Sequence, residues 1–100
     1  MEHKVVQNKD QQQYEVEVNG DLATLQYRFR KRTMFFMHTK VPESAKGLGV
    51  ASAMAKEGLE FAKRKGCKIA ILCPFVSSYV KRHREWLELI DREYHQMGFR

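Results

Sequence analysis

The sequence predicts an α/β (α+β) domain: a mixed sheet of about four strands with helices packed on it. Three observations carry this. "YEVEVNGDLATLQYRFR" alternates apolar and polar residues on both sides of Asn19-Gly20. From Leu48 the apolar spacing becomes that of a helix. A further apolar strand, "CKIAILC", follows that helix, so the strands flanking it form a β-α-β crossover. With 100 residues, 1–100 is one domain with one core.

"MEHKVVQNKDQQ" is polar, and residues 1–12 are expected to fray. Tyr14, Val16 and Val18 then point one way, Glu15 and Glu17 the other. Asn19-Gly20 suits a two-residue hairpin loop, where both positions need positive φ. Ala23, Leu25, Tyr27 and Phe29 resume the alternation against Thr24, Gln26, Arg28 and Arg30. These two strands are expected to be antiparallel, with one wet face. Lys31-Arg32 predicts a second tight turn. Met34 to Met37 lack alternation, which predicts a central strand covered on both faces. Pro42 ends its pairing.

Leu48, Ala51, Ala55, Leu59 and Ala62 follow helical spacing, with Met54, Gly58 and Phe61 beside them. Lys63, Arg64 and Lys65 suit the negative end of the helix dipole, and Gly66 suits the cap. Gly58 costs about 1 kcal/mol against alanine in mid-helix, so it reads as close packing of helix on sheet. "CKIAILC" ends at Pro74. Phe75 to Phe99 reads as helical with a break near His83 to Glu85. Val76, Tyr79, Val80 and His83 share one face; Trp86, Leu87, Ile90 and Tyr94 continue the stripe. The order is β-β-β-α-β-α. A right-handed crossover makes the strands at Met34 and Cys73 parallel. Ligands gather at the carboxyl ends of such strands, here His38 to Gly49 and Cys73 to Tyr79.

Composition narrows the functional classes. Apolar content is 43%, and no run approaches the ~18 apolar residues of a membrane span. The N-terminus lacks the apolar middle of a secretory signal, so a cytoplasmic protein is expected. Cys67 and Cys73 lie at opposite ends of one strand, about 20 Å apart at ~3.3 Å per residue, beyond disulfide reach. Reduced thiols follow. No CxxC or Cys/His spacing supports a metal site. The net charge of +6 favours an anionic partner: nucleic acid, an acidic surface or a polyphosphate cofactor. Each basic cluster taken singly reads more readily as a solvated turn or helix face.

"SAKGLGVA" places two glycines between a strand and a helix. The first turn of a helix has N–H groups without partners, and its dipole adds about half a positive charge. Glycine lets a phosphate approach that end closely. The stretch is neither a P-loop nor a complete GxGxxG; a plain glycine turn is the alternative.

"VPESAKGLGVASAM" resembles the pyrophosphate loop of the GNAT acyl-CoA N-acyltransferase superfamily, Q/R-x-x-G-x-G/A. "HTKVP…KGLGVASAM…LCPFVSSYVKRH" is similar to a subfamily of very small GNAT-like proteins with H-T-x-V-P, G-x-G and C-P-[FY] motifs. The likeness spans Tyr14 to Arg84. It implies a reduced GNAT-like fold that binds acetyl-CoA or coenzyme A. The pantetheine arm would run along His38-Thr39-Lys40-Val41. The pyrophosphate would sit on the N–H groups of Gly47, Leu48, Gly49, Val50 and Ala51. Lys46, with Lys81 or Arg82, would offset further phosphate charge. Ser44 stands where the superfamily usually has Gln or Arg. The stretch before Tyr14 is expected to be too short for the helical pair that usually shapes the acceptor side.

Amine acetylation needs a base, a polarised carbonyl and a proton for the thiolate. Tyr79 matches the family's tyrosine that protonates the thiolate; it reads equally as a core aromatic. His38 is a candidate base near neutral pH, or a structural histidine. Cys73 is a candidate nucleophile, or a buried core thiol. The expected activity is acetyl transfer from acetyl-CoA to an unknown amine. The alternatives are a non-catalytic coenzyme A-binding protein and a small basic nucleic-acid-binding domain. For the last, "YRFRKR" interleaves aromatic and basic residues, but the alternation puts Tyr27 and Phe29 opposite Arg28 and Arg30.

Overall fold

The computed structural model describes residues 3–95. Five strands form one sheet in the order β1 to β5: β1 (Val6–Asn8), β2 (Gln13–Val18), β3 (Asp21–Arg30), β4 (Thr33–Lys40) and β5 (Lys68–Ile71). The first four pair antiparallel; β4 and β5 pair parallel across helix α1 (Val50–Arg64). Helix α2 (Pro74–Arg82) and a 3-10 segment (Arg84–Leu89) follow.

The β2–β3 turn forms as its residues require: Asn19 lies at φ 52° and Gly20 at φ 84°. Lys31 turns the next hairpin at φ 57°. Residues 1–12, expected to fray, contribute β1, which pairs with β2 from Val6–Glu15 to Asn8–Gln13. Its polar side chains hid it: Asn8 bonds the Glu15 carboxylate and Gln7 the Tyr27 hydroxyl.

One face of the sheet carries the core. Tyr14, Val16, Ala23, Leu25, Tyr27 and Phe36 are buried there, under Met54, Ala55, Leu59 and Ala62 of α1. Phe29 packs on Phe61 of α1, so the aromatics of "YRFRKR" face the helix and not the arginines. A Cβ on Gly58 would stand 2.7 Å from Cε1 of the buried Phe36 ring, so this glycine sets the helix-to-sheet distance.

The other face is covered only in part. Tyr94 stands edge-on to Phe35 at 5.2 Å, while Met37 is 38% exposed. The expectation of a β4 covered on both faces therefore holds for its first half. The C-terminal region is not a continuous helix. α2 stops at Arg82, and Ile90 forms a parallel bridge with Ile69. Asp91 N–H donates to the Ile69 carbonyl, and Thr33 Oγ1 donates to the Asp91 carboxylate. The Ile71 N–H donates to His95 Nε2 at 3.1 Å. Residues 96–100, expected to be helical, lie outside the described residues.

Gly58→Ala is expected to lower stability. Overpacking costs about 1–3 kcal/mol and outweighs the ~1 kcal/mol gained in helix propensity; denaturant midpoints measure this. Burial lowers the pKa of His95, and Asp91 partly opposes the shift. The neutral ring is the form that accepts from Ile71. As pH falls below about 6.5, the unfolded chain takes up this proton first, so stability declines until the folded pKa is passed. His95→Gln should flatten that limb of the pH–stability curve.

Candidate functional site

β4 and β5 run together from Thr33–Lys68 to Phe36–Ile71 and then part. Leu72 N–H and Cys73 N–H both donate to the Phe36 carbonyl, at 3.0 and 3.1 Å. β4 continues to Lys40, while the chain beyond β5 turns into α2 at Pro74. Proline lacks the N–H a ladder needs and fits the first turn of a helix.

A bulge on β4 sharpens the parting. Gln26 pairs with His38 and Tyr27 with Phe36, which leaves Met37 as the extra residue. Simple alternation from Phe36 would turn His38 toward α1. The bulge turns Thr39 there instead, opposite Leu25, and puts His38 on the open face opposite Gln26. Thr39 Oγ1 then meets Cys73 Sγ at 2.8 Å. Cys73 is 1% exposed.

Below the parted strands lies the glycine loop. Gly47 and Gly49 sit at φ 80° and 77°, and a Cβ on either would meet nothing within 4 Å. These glycines are required by backbone angle, and the space before them is open. Gly49 caps α1 with no side-chain hydrogen bond. The N–H groups of Val50, Ala51 and Ser52 precede the first helical bond, from Ala53 to the Gly49 carbonyl. A cleft of about 370 Å³ opens over them, lined in part by Val41, Lys46, Gly47, Gly49, Ser52 and Phe75. That volume is in the range of small-molecule sites.

The loop is tied down from several sides. Ser44 Oγ donates to Asp21 Oδ2 at 2.7 Å, and His3 Nε2 donates to the Leu48 carbonyl at 2.6 Å. Lys46 contacts Glu43 at 3.3 Å on the surface, a pairing too exposed to hold it.

Tyr79 lies elsewhere, in a groove of about 550 Å³ between α1 and α2 that also takes Lys56, Glu60 and His83. The groove shares Gly49 and Ser52 with the cleft. The Tyr79 ring is 7% exposed and stacks on His83 at 4.2 Å. Burial pushes its phenol pKa up; Glu85 and Glu60 add to this and Arg82 opposes it. The hydroxyl therefore keeps its proton at neutral pH.

The structure thus gathers Val41, Lys46, Gly47, Gly49, Val50 and Ala51 around one cleft. Leu48 lines the α1–α2 groove. Thr39 and Cys73 meet at the parting. His38 and Lys40 stand exposed on the opposite face. Lys81 and Arg82 are exposed in the last turn of α2.

The family model for GCN5-related N-acetyltransferases matches residues 13–89. The chain belongs to this family. Among curated relatives, Protein NATD1 of Danio rerio is 32% identical over 92 residues, covering 87% of this chain and 84% of that protein. Protein NATD1 of Homo sapiens is 32% identical over 83 residues, covering 80% and 74%. The solution structure of a GCN5-like protein from Staphylococcus aureus matches with a TM-score of 0.69 at 22% identity, over 88% of this chain and 87% of that one. At that identity it shows the fold. The expectation of a GNAT-like mixed sheet is met, with a fifth strand added.

Ser52 and Phe75 line the cleft without having been singled out from sequence. Ser52 follows the glycines at helical spacing, and Phe75 completes the C-P-F motif. Ser44, where the superfamily usually has Gln or Arg, secures the loop from outside. Among the described residues no group of His, Cys, Asp and Glu could hold a metal ion, and no helix is long and apolar enough to cross a membrane.

The two thiols should separate by reagent. Cys67 is half-buried and Cys73 buried, so a charged disulfide reagent is expected to titrate Cys67 first. Cys73 should follow only at the rate of local opening, with Cys73→Ala removing the slow phase.

Proposed function

We propose that this chain binds acetyl-CoA and transfers its acetyl group to an amine. The parting of β4 from β5 above an uncapped, glycine-led helix start is the observation that carries this reading. The pyrophosphate would take the N–H groups of Gly47 to Ala51, with Lys46 beside it. The pantetheine arm would bond along Thr39 to Val41, where β4 has run past its β5 partner. Arg82, exposed in the last turn of α2, would meet only phosphate groups reaching beyond the cleft.

The acceptor nitrogen attacks the thioester carbonyl carbon. The C–N bond forms, the C–S bond breaks, and the amine's proton passes to base while the thiolate takes one from an acid. His38, exposed opposite Gln26, would act as base. Tyr79, which holds its proton, would serve as acid only for a thiolate lying where its groove meets the cleft, at Gly49 and Ser52.

A second route runs through Cys73, which contacts Thr39 Oγ1 and, being buried, would be reached only on local opening. Cys73 would take the acetyl group first and pass it on. Intact mass after incubation with acetyl-CoA separates the routes: a gain of about 42 Da that Cys73→Ala abolishes marks the relay.

Calorimetric titration with acetyl-CoA tests the proposal, with micromolar binding expected. Gly49→Glu should abolish it by placing charge and bulk in the phosphate seat, while Gly49→Ala, with the same backbone strain of about 1–2 kcal/mol, should weaken it less. Unchanged affinity in Gly49→Glu would sink the loop assignment. Tyr79→Phe should lower turnover more than affinity.

A further inference from the structure

The segment ahead of β1 reaches the glycine loop. β1 pairs with β2 from Asn8–Gln13 to Val6–Glu15. Continued back toward His3, that direction leads to the end of β2 and the Asn19-Gly20 turn, and His3 and Lys4 do line a hollow with Val16, Glu17, Asn19 and Gly20. Asp21, the residue after that turn, accepts the Ser44 hydroxyl of the loop. This end of the sheet therefore flanks the loop.

The segment alternates like the strand it leads into. Val5 packs against the core, and His3, two residues before it, lines the α1–α2 groove with it; Lys4 between them is exposed. His3 Nε2 donates to the Leu48 carbonyl at 2.6 Å, across 45 positions of sequence. Leu48 has few other ties. Its side chain is 40% exposed, and its N–H reaches the Ala45 carbonyl only at 3.4 Å, long for such a bond. Gly47 and Gly49 flank it, at φ 80° and 77°, and glycine leaves a backbone free to turn.

The orientation of one peptide plane matters here. In a trans peptide the C=O and the next N–H point in opposite directions. The bond to His3 therefore turns the Gly49 N–H away from His3. His3 lines the groove, Gly47 lines the cleft, and Gly49 borders both. With the plane turned over, the Leu48 carbonyl oxygen would face an incoming phosphate in place of the Gly49 N–H. Backbone N–H groups attract an anion and a carbonyl oxygen repels it.

We infer that His3 is a positioning residue for the phosphate seat: it holds the Leu48 carbonyl from the groove side and so keeps the Gly49 N–H aimed into the cleft, beside those of Val50 and Ala51. β1 is then the strut that brings His3 to the loop. The inference rests on the acetyl-CoA reading and assigns this segment a part in it.

The test is calorimetric titration of the full chain with acetyl-CoA, in the wild type, His3→Ala and His3→Gln, with the Gly49 amide followed by NMR. Loss of one hydrogen bond should weaken binding in His3→Ala by about three- to tenfold. Glutamine can present an amide N–H at the reach of Nε2, so His3→Gln should stay within about twofold of the wild type. The Gly49 amide signal should move on saturation in the wild type and His3→Gln, and move less in His3→Ala. Wild-type affinity in His3→Ala, an equal loss in both variants, or a Gly49 response in His3→Ala that matches the wild type overturns the positioning role while acetyl-CoA binding stands. A wild-type chain that does not bind acetyl-CoA overturns both.

Discussion

The Phe36 carbonyl is the point on which the site depends. It takes two N–H groups, from Leu72 and Cys73, and so ends the β4–β5 ladder. Past it β4 has backbone to offer and no β5 strand to offer it to. The same residue's ring lies under Gly58 and fixes how closely α1 approaches the sheet. One buried phenylalanine thus sets both the seam and the height of the helix whose first turn faces it.

The bulge at Met37 decides which side chains meet at that seam. An extra residue reverses the side-chain alternation beyond it. Thr39 comes to Cys73 and His38 goes to the open face. The candidate base His38 and the candidate nucleophile Cys73 are thereby put on opposite sides of the sheet. Direct attack by the acceptor and relay through Cys73 are consequently different geometries and leave different covalent traces.

Much of the fold was legible in the sequence because it rests on local rules. Asn19-Gly20 has one good backbone solution. The shift from period two to helical spacing at Leu48, and Gly66 at the end of α1, follow from side-chain periodicity and capping. Gly58 was readable as close packing because a mid-helix glycine costs stability without a reason. What escaped is non-local. β1 is polar and is held by cross-strand amide bonds. The bulge leaves no mark in "TMFFMHTK". The C-terminal stripe looks helical, yet Asp91 and His95 bond the sheet edge, a choice made by Thr33 and Ile71 far away in sequence. For the site, the glycines and Lys46 were readable from composition and position; the separation of Tyr79 from Cys73 into the α1–α2 groove was not, because it depends on how α2 lies on α1.

The most direct test of the account is an amide-resolved NMR titration of the 11.8 kDa chain with acetyl-CoA. The account predicts shifts concentrated at residues 39–41, 46–52 and 73–75, saturating together. Shifts centred instead on Arg28 to Arg32 and Lys63 to Lys65, or none at millimolar ligand, would contradict it.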